Sequence, residues 1–255
     1  MLPNSPHFIF YVENIKDLDV KNSDLNNFID KYSLENLYFF THLCNMSRQT
    51  LLKKLHTKNI LCNISNIMTP TYLLINYCKS LMEDFSVYPI TDTDDFEDFH
   101  MSHVKINYTD PDIIFLCTKE INEQQLTFIN NTTVPIAISS NLCHNRLVKC
   151  NKCFKNCKLR EINLKHKHRI IMPDLPPSYN SSVLFKELNL HPKHTVMITT
   201  SLRDDYIQYK RMGCKIILLL RNEEDYKNYL NSPHDVDLVL NNFDNFFYFL
   251  KLKAE

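Results

Sequence analysis

One glycine, Gly213, serves a chain of 255 residues, where average usage of roughly 7% would supply about 18. That scarcity excludes whole functional classes. Phosphate-cradling loops, dinucleotide fingerprints, Gly-rich kinase loops, G-x-S-x-G elbows and calcium loops all need a glycine where a side chain would clash. Abundant Asn, Lys, Ile and Tyr beside a complete lack of Trp suggest that AT-rich codons account for part of the depletion.

The 29 basic and 29 acidic residues cancel, but they are not evenly spread. Residues 83–98 carry seven acids and no base, whereas residues 146–169 are basic with the single acid Glu161. Charge runs of this kind are solvated faces more often than partner surfaces. Nine cysteines, an odd number scattered along the chain, do not form a secreted disulfide framework. The first residues lack a basic start and a long apolar run, so an intracellular, cytoplasmic location is expected. No apolar run approaches the ~18 residues that span a bilayer, and no membrane association is expected.

Residues 7–12 read as a buried strand. Between residues 23 and 103 the apolar spacing is helical: Leu25, Phe28, Ile29 and Tyr32 behind a Ser23/Asp24 cap, then residues 34–43, then residues 72–85 behind Thr69-Pro70. After Pro111 short apolar strands alternate with helices. Candidate strands are 113–117, 134–139, 168–172, 195–199, 215–220 and 236–240, which points to a parallel sheet covered on both faces. The fold class is therefore α/β: a Rossmann-like parallel sheet formed by residues 1–15 and 106–255, with an α-helical cap inserted as residues 16–105.

Val196-Met197-Ile198-Thr199-Thr200-Ser201-Leu202-Arg203-Asp204-Asp205, followed by a helix and Met212-Gly213-Cys214-Lys215, resembles the fourth motif of the haloacid dehalogenase superfamily. Residues 184–192 and 235–244 resemble its flanking pieces, and Ile136-Ala137-Ile138-Ser139-Ser140-Asn141 its second motif. The resemblance covers about residues 120–250, carried by order more than by any one motif. It implies phosphoryl transfer through an aspartyl-phosphate, with a second Asp as acid, a hydroxyl and a Lys on the transferring oxygens, and a Mg²⁺ held by acids.

Carried over position by position, the nucleophile place is Tyr11 and the acid place Glu13. Ser140 fits the hydroxyl, with Asn141 beside it. The Lys place falls at Leu175 before Pro176 or Met172 before Pro173. Thr200 replaces the first metal-binding acid, leaving Asp204 and Asp205 for a weak Mg²⁺ site. These replacements lead to the expectation of a catalytically inactive pseudophosphatase, without a resident cofactor, that binds a phosphorylated ligand or a protein partner. The alternative is an active Mg²⁺-dependent phosphatase using the Asp-x-Asp pair Asp17 and Asp19.

Cys143, Cys150, Cys153 and Cys157 crowd into the basic segment. Cys150-x-x-Cys153 is a usable zinc pair, which keeps a zinc-binding or nucleic-acid-binding module over residues 143–169 as a further alternative. Equally, positions 150, 153 and 157 share one helix face and suit burial in a core.

Overall fold

In the computed structural model, residues 6–12, 22–41, 46–91, 96–118, 120–138, 158–171, 179–200, 206–220, 222–231, 236–241, 245–246 and 248 are described. The chain divides into two units, Met1–His42 with Leu51–Met68 and Leu188–Glu255, and Leu43–Thr50 with Thr69–Glu187.

The first unit is built on a six-stranded parallel sheet. Its strands are β1 (His7–Tyr11), β2 (Leu37–Phe40), β3 (Ile67–Met68), β9 (Thr195–Thr199), β10 (Lys215–Leu219) and β11 (Leu238–Leu240), in the order β11-β10-β9-β1-β2-β3. The central strands read as unbroken apolar runs because helices cover both faces of such a sheet. All of Phe8, Ile9 and Phe10, and all of Thr195 to Thr199, are buried. Helix α1 (Asn22–Tyr32) presents Phe28 and Tyr32 to β1, their rings 4.8 and 5.0 Å from that of Phe8 and edge-on to it. Phe246, fully buried, closes the same cluster 5.6 Å from Phe28. Helices α2 (Arg48–Thr57), α8 (Tyr206–Met212) and α9 (Glu223–Asn231) make the remaining crossovers.

The second unit carries its own five-stranded parallel sheet: β4 (Ser86–Ile90), β5 (Lys105–Ile106), β6 (Ile113–Leu116), β7 (Ile136–Ile138) and β8 (Ile170–Ile171), in the order β5-β4-β6-β7-β8. Its helices are α3 (Pro70–Leu81), α4 (Phe96–Met101), α5 (Glu123–Asn131), α6 (Lys158–Lys165) and α7 (Tyr179–Glu187). Period-two alternation divides β6 between two cores. Ile113 and Phe115 face Leu74, Cys78 and Phe99 from α3 and α4, whereas Ile114 and Leu116 face Ile129 and Ile162 from α5 and α6.

This corrects the expected helical cap over residues 16–105 and the core boundaries drawn around it. That segment supplies β2 and β3 to the first sheet and β4 and β5 to the second, so the inserted unit is itself α/β. The confusion is physical: Leu37-Tyr38-Phe39-Phe40 is apolar throughout, and a short continuous run carries no period that separates a buried strand from a helical stripe. The local signals around α3 hold, with Thr69 as N-cap accepting from the Tyr72 N–H and Pro70 in the first turn.

Gly213 ends α8 with φ +101°, as its place before β10 predicts, and its N–H donates to the Lys210 carbonyl. A Cβ there would lie 3.2 Å from Cγ of Lys193, a side chain that can yield. The backbone angle cannot. Gly213→Ala is expected to lower stability by about 1–2 kcal/mol, read as an earlier urea midpoint at unchanged slope.

Candidate functional site at the carboxyl ends of the first sheet

From β1 the chain runs outward through β2 and β3, then returns to the other side of β1 for β9, β10 and β11. The strand order reverses between β1 and β9. In open parallel sheets ligands bind outside the carboxyl ends of the strands at such a reversal. The register levels three ends there: Tyr11 stands opposite Phe40 of β2 and opposite Thr199 of β9.

The groups gathered at this edge are hydroxyls. Tyr11 is 6% exposed, its ring 5.4 Å from that of Phe40. Thr41 follows β2, fully buried, its N–H donating to the Met68 carbonyl at 3.2 Å. Thr199 and Thr200 close β9, both buried, and Oγ1 of Thr200 has no hydrogen-bond partner among the described residues. A buried hydroxyl left unpaired carries a desolvation cost of about 1–3 kcal/mol.

Of the residues singled out in the sequence, Tyr11 and Thr200 meet at this edge. Glu13, Asp17, Asp19, Ser140, Asn141, Asp204, Asp205, Cys143, Cys150, Cys153 and Cys157 lie outside the described residues, as do Met172 and Leu175. The second-motif assignment nevertheless needs correction. The strand that leads to Ser140, β7, pairs with β6 and β8 in the second unit, whereas the strand beside β1 is β2. The hydroxyl at the end of β1's own neighbour is that of Thr41. A four-residue apolar run ending in Thr is the sequence signal for it, hidden because the run reads equally as helix.

The described part of the basic segment, from Lys158 on, has internal work. Arg169 donates to the carbonyls of Ile129 (2.9 Å), Val134 (3.0 Å) and Thr132, which closes the C-terminal end of α5. His166 pairs with Asn130 at 2.9 Å, and Lys158 with Glu123 and the Ile121 carbonyl. Burial lowers the His166 pKa, with the cations Arg169 and Lys165 adding to the effect. These groups hold helix ends in the second unit, and nothing about them supports a nucleic-acid surface.

Mg²⁺ demands near-octahedral oxygen ligands and relies on carboxylates. Tyr11, Thr41 and Thr200 offer neutral oxygens, and among the described residues no group of three His, Cys, Asp or Glu side chains could hold a metal ion. The described strand ends do not fit the ion.

No protein-family model and no curated protein sequence matches the chain. Solved structures do. A p-nitrophenyl phosphatase from Archaeoglobus fulgidus superposes with a TM-score of 0.73 at 11% identity, covering 96% of this chain and 99% of the other. The 4-nitrophenylphosphatase of Thermotoga maritima gives 0.70 at 14% over 95% and 96%, and NagD from E. coli K-12 gives 0.64 at 13% over 93% and 96%. These are haloacid dehalogenase-superfamily proteins. The chain thus has the haloacid dehalogenase-like α/β fold, with a Rossmann-type core. Among the described residues, no helix is long and apolar enough to cross a membrane.

Two measurements check this account of the sheet's ends. Thr200→Val removes the unpaired hydroxyl and keeps the shape, so stability is expected unchanged or higher by up to about 1 kcal/mol in urea melts. At the opposite end of β1, burial and then the charge of His194 lower the pKa of His7, whose Nδ1 is buried without a partner among the described residues. The unfolded chain therefore takes up this proton more readily. Stability is expected to fall as pH drops below 6.5 toward the folded-state value, and His7→Leu should flatten that slope.

Proposed function

We propose that the chain is a phosphomonoester-binding protein of haloacid dehalogenase-like fold that does not turn its ligand over by the aspartyl-phosphate route. The observation that carries this is Tyr11. It stands buried at the end of the central strand, level with Phe40 and Thr199, where the resemblance implies the nucleophile. A phenol cannot form an acyl phosphate, and the neighbouring Thr41 and Thr200 are neutral. Hydroxyls are suited to hydrogen-bonding phosphate oxygens. The binding reading rests on them, with the phosphorylated ligand preferred over a protein partner.

A second reading, Mg²⁺-dependent phosphatase action through Asp17 and Asp19, is favoured by the similar solved structures, several of them named as nitrophenyl phosphatases. At 10–14% identity that likeness speaks for the fold alone. In this reading Asp204 and Asp205 would be the residues left to hold Mg²⁺, which would supply charge neutralisation at the phosphoryl group.

Turnover of p-nitrophenyl phosphate with and without Mg²⁺, beside Asp17→Asn, separates the two. The binding reading predicts background rates in every arm. It also predicts a rise in Tm with inorganic phosphate that shrinks in Thr41→Val. Mg²⁺-dependent turnover abolished by Asp17→Asn would establish the phosphatase instead.

A further inference from the structure

The chain passes between the units at residues 42–43, 50–51, 68–69 and 187–188. One side-chain network within the second unit reaches the last three of these. Its centre is Asp98 on α4, whose side chain is fully buried. Oδ2 accepts the Thr69 hydroxyl at 2.7 Å, and Oδ1 accepts the N–H of Arg48, the first residue of α2, at 3.1 Å. A single carboxylate thus joins the start of α2 to the cap of α3, where the positive ends of both helix dipoles favour it.

Arg48 extends the chain of contacts. Its Nε lies 3.5 Å from Oδ1 of Asp98, an ion pair without a hydrogen bond, and its guanidinium carbon sits 3.5 Å from the ring centroid of Tyr72. The Tyr72 hydroxyl donates to Oε1 of Glu187 at 2.9 Å, and Asn76 donates to the same oxygen at 2.7 Å. Glu187 is the last residue of α7 and of the second unit. Beside this line, Ser47 donates to Glu97 at 3.0 Å and accepts the N–H of Thr50 at 3.1 Å.

We propose that Asp98, Arg48 and Tyr72 form a latch that ties these three of the second unit's chain passages together, so that they loosen as a set and not one by one. Apolar side chains would fill the same space with less desolvation. What they could not do is fix two helix starts and a distant helix end through one carboxylate and one cation. The proposal is independent of whether the strand-end site turns over a ligand.

Hydrogen exchange on the full chain, read residue by residue, tests it. Asp98→Asn removes the charge and one acceptor at little change in shape. Exchange is expected to speed at least tenfold at the amides of Arg48, Thr50 and Tyr72 and at residues 186–188, while β9 and β10 keep their wild-type rates. Tyr72→Phe, the milder variant, keeps the ring under Arg48 and removes the bond to Glu187. It should speed exchange at residues 186–188 and, by a smaller factor, at Arg48 and Thr50 as well; acceleration confined to residues 186–188 would overturn the latch. Acceleration in Asp98→Asn confined to Arg48 and Thr50, no acceleration, or a uniform rise that includes β9 and β10 would each overturn the latch, as would a Tyr72→Phe profile identical to wild type.

Discussion

Everything in the first unit is arranged around β1, which has a parallel partner on each edge and the rings of α1 packed on Phe8. A strand so placed must be apolar, because every backbone group is committed to the ladder and every side chain enters a core. Its neighbours are held in register to Tyr11. The position where a polar group can first emerge is therefore set for three strands at once, and the candidate site is a consequence of that levelling rather than of any single motif. Replacing the chemistry at such an edge does not disturb the sheet beneath it, since Phe8, Ile9 and Phe10 carry the packing.

The same separation explains what could be read from sequence. The strands β1, β9 and β10, the helix of Phe28 and Tyr32 and the Thr69-Pro70 helix start were all legible, because each has local chemistry: continuous β-branched or aromatic runs, or a capping hydroxyl. The identity of the strand beside β1 was not. Leu37 to Phe40 has no polar interruption to reveal its period, so the apolar run that ends in Thr41 passes for part of a helix, and β7, which has a clearer strand signature, takes its place. One mistaken strand moved the unit boundary and the expected hydroxyl together.

Buried charge was equally hidden. Asp98 sits in a run of acids that reads as a solvated stretch, yet its carboxylate is sealed at two helix starts. Burial raises its pKa, against the pull of Thr69 and Arg48 in the other direction. A carboxylate kept in such a place is a poor source of stability and a good source of specificity, because only one arrangement of Arg48, Thr69 and Tyr72 satisfies it. Composition counts such a residue as surface. Only the fold shows that its partners lie about thirty and fifty residues away in the chain.

The interruption of the first unit by the second also orders events in time. Tyr11 is synthesised early, but its partner Thr199 belongs to a strand that follows the whole of residues 69–187. The second unit's sheet, in contrast, takes all of its strands from that one continuous stretch. As the chain leaves the ribosome, β1 must wait with one edge unpaired until the inserted unit has been completed and β9 has followed it. An unpaired apolar strand is an aggregation hazard. In β1 that exposure is built into the connectivity, and the Phe28 and Tyr32 rings of α1, synthesised soon after it, are the earliest cover the chain can provide.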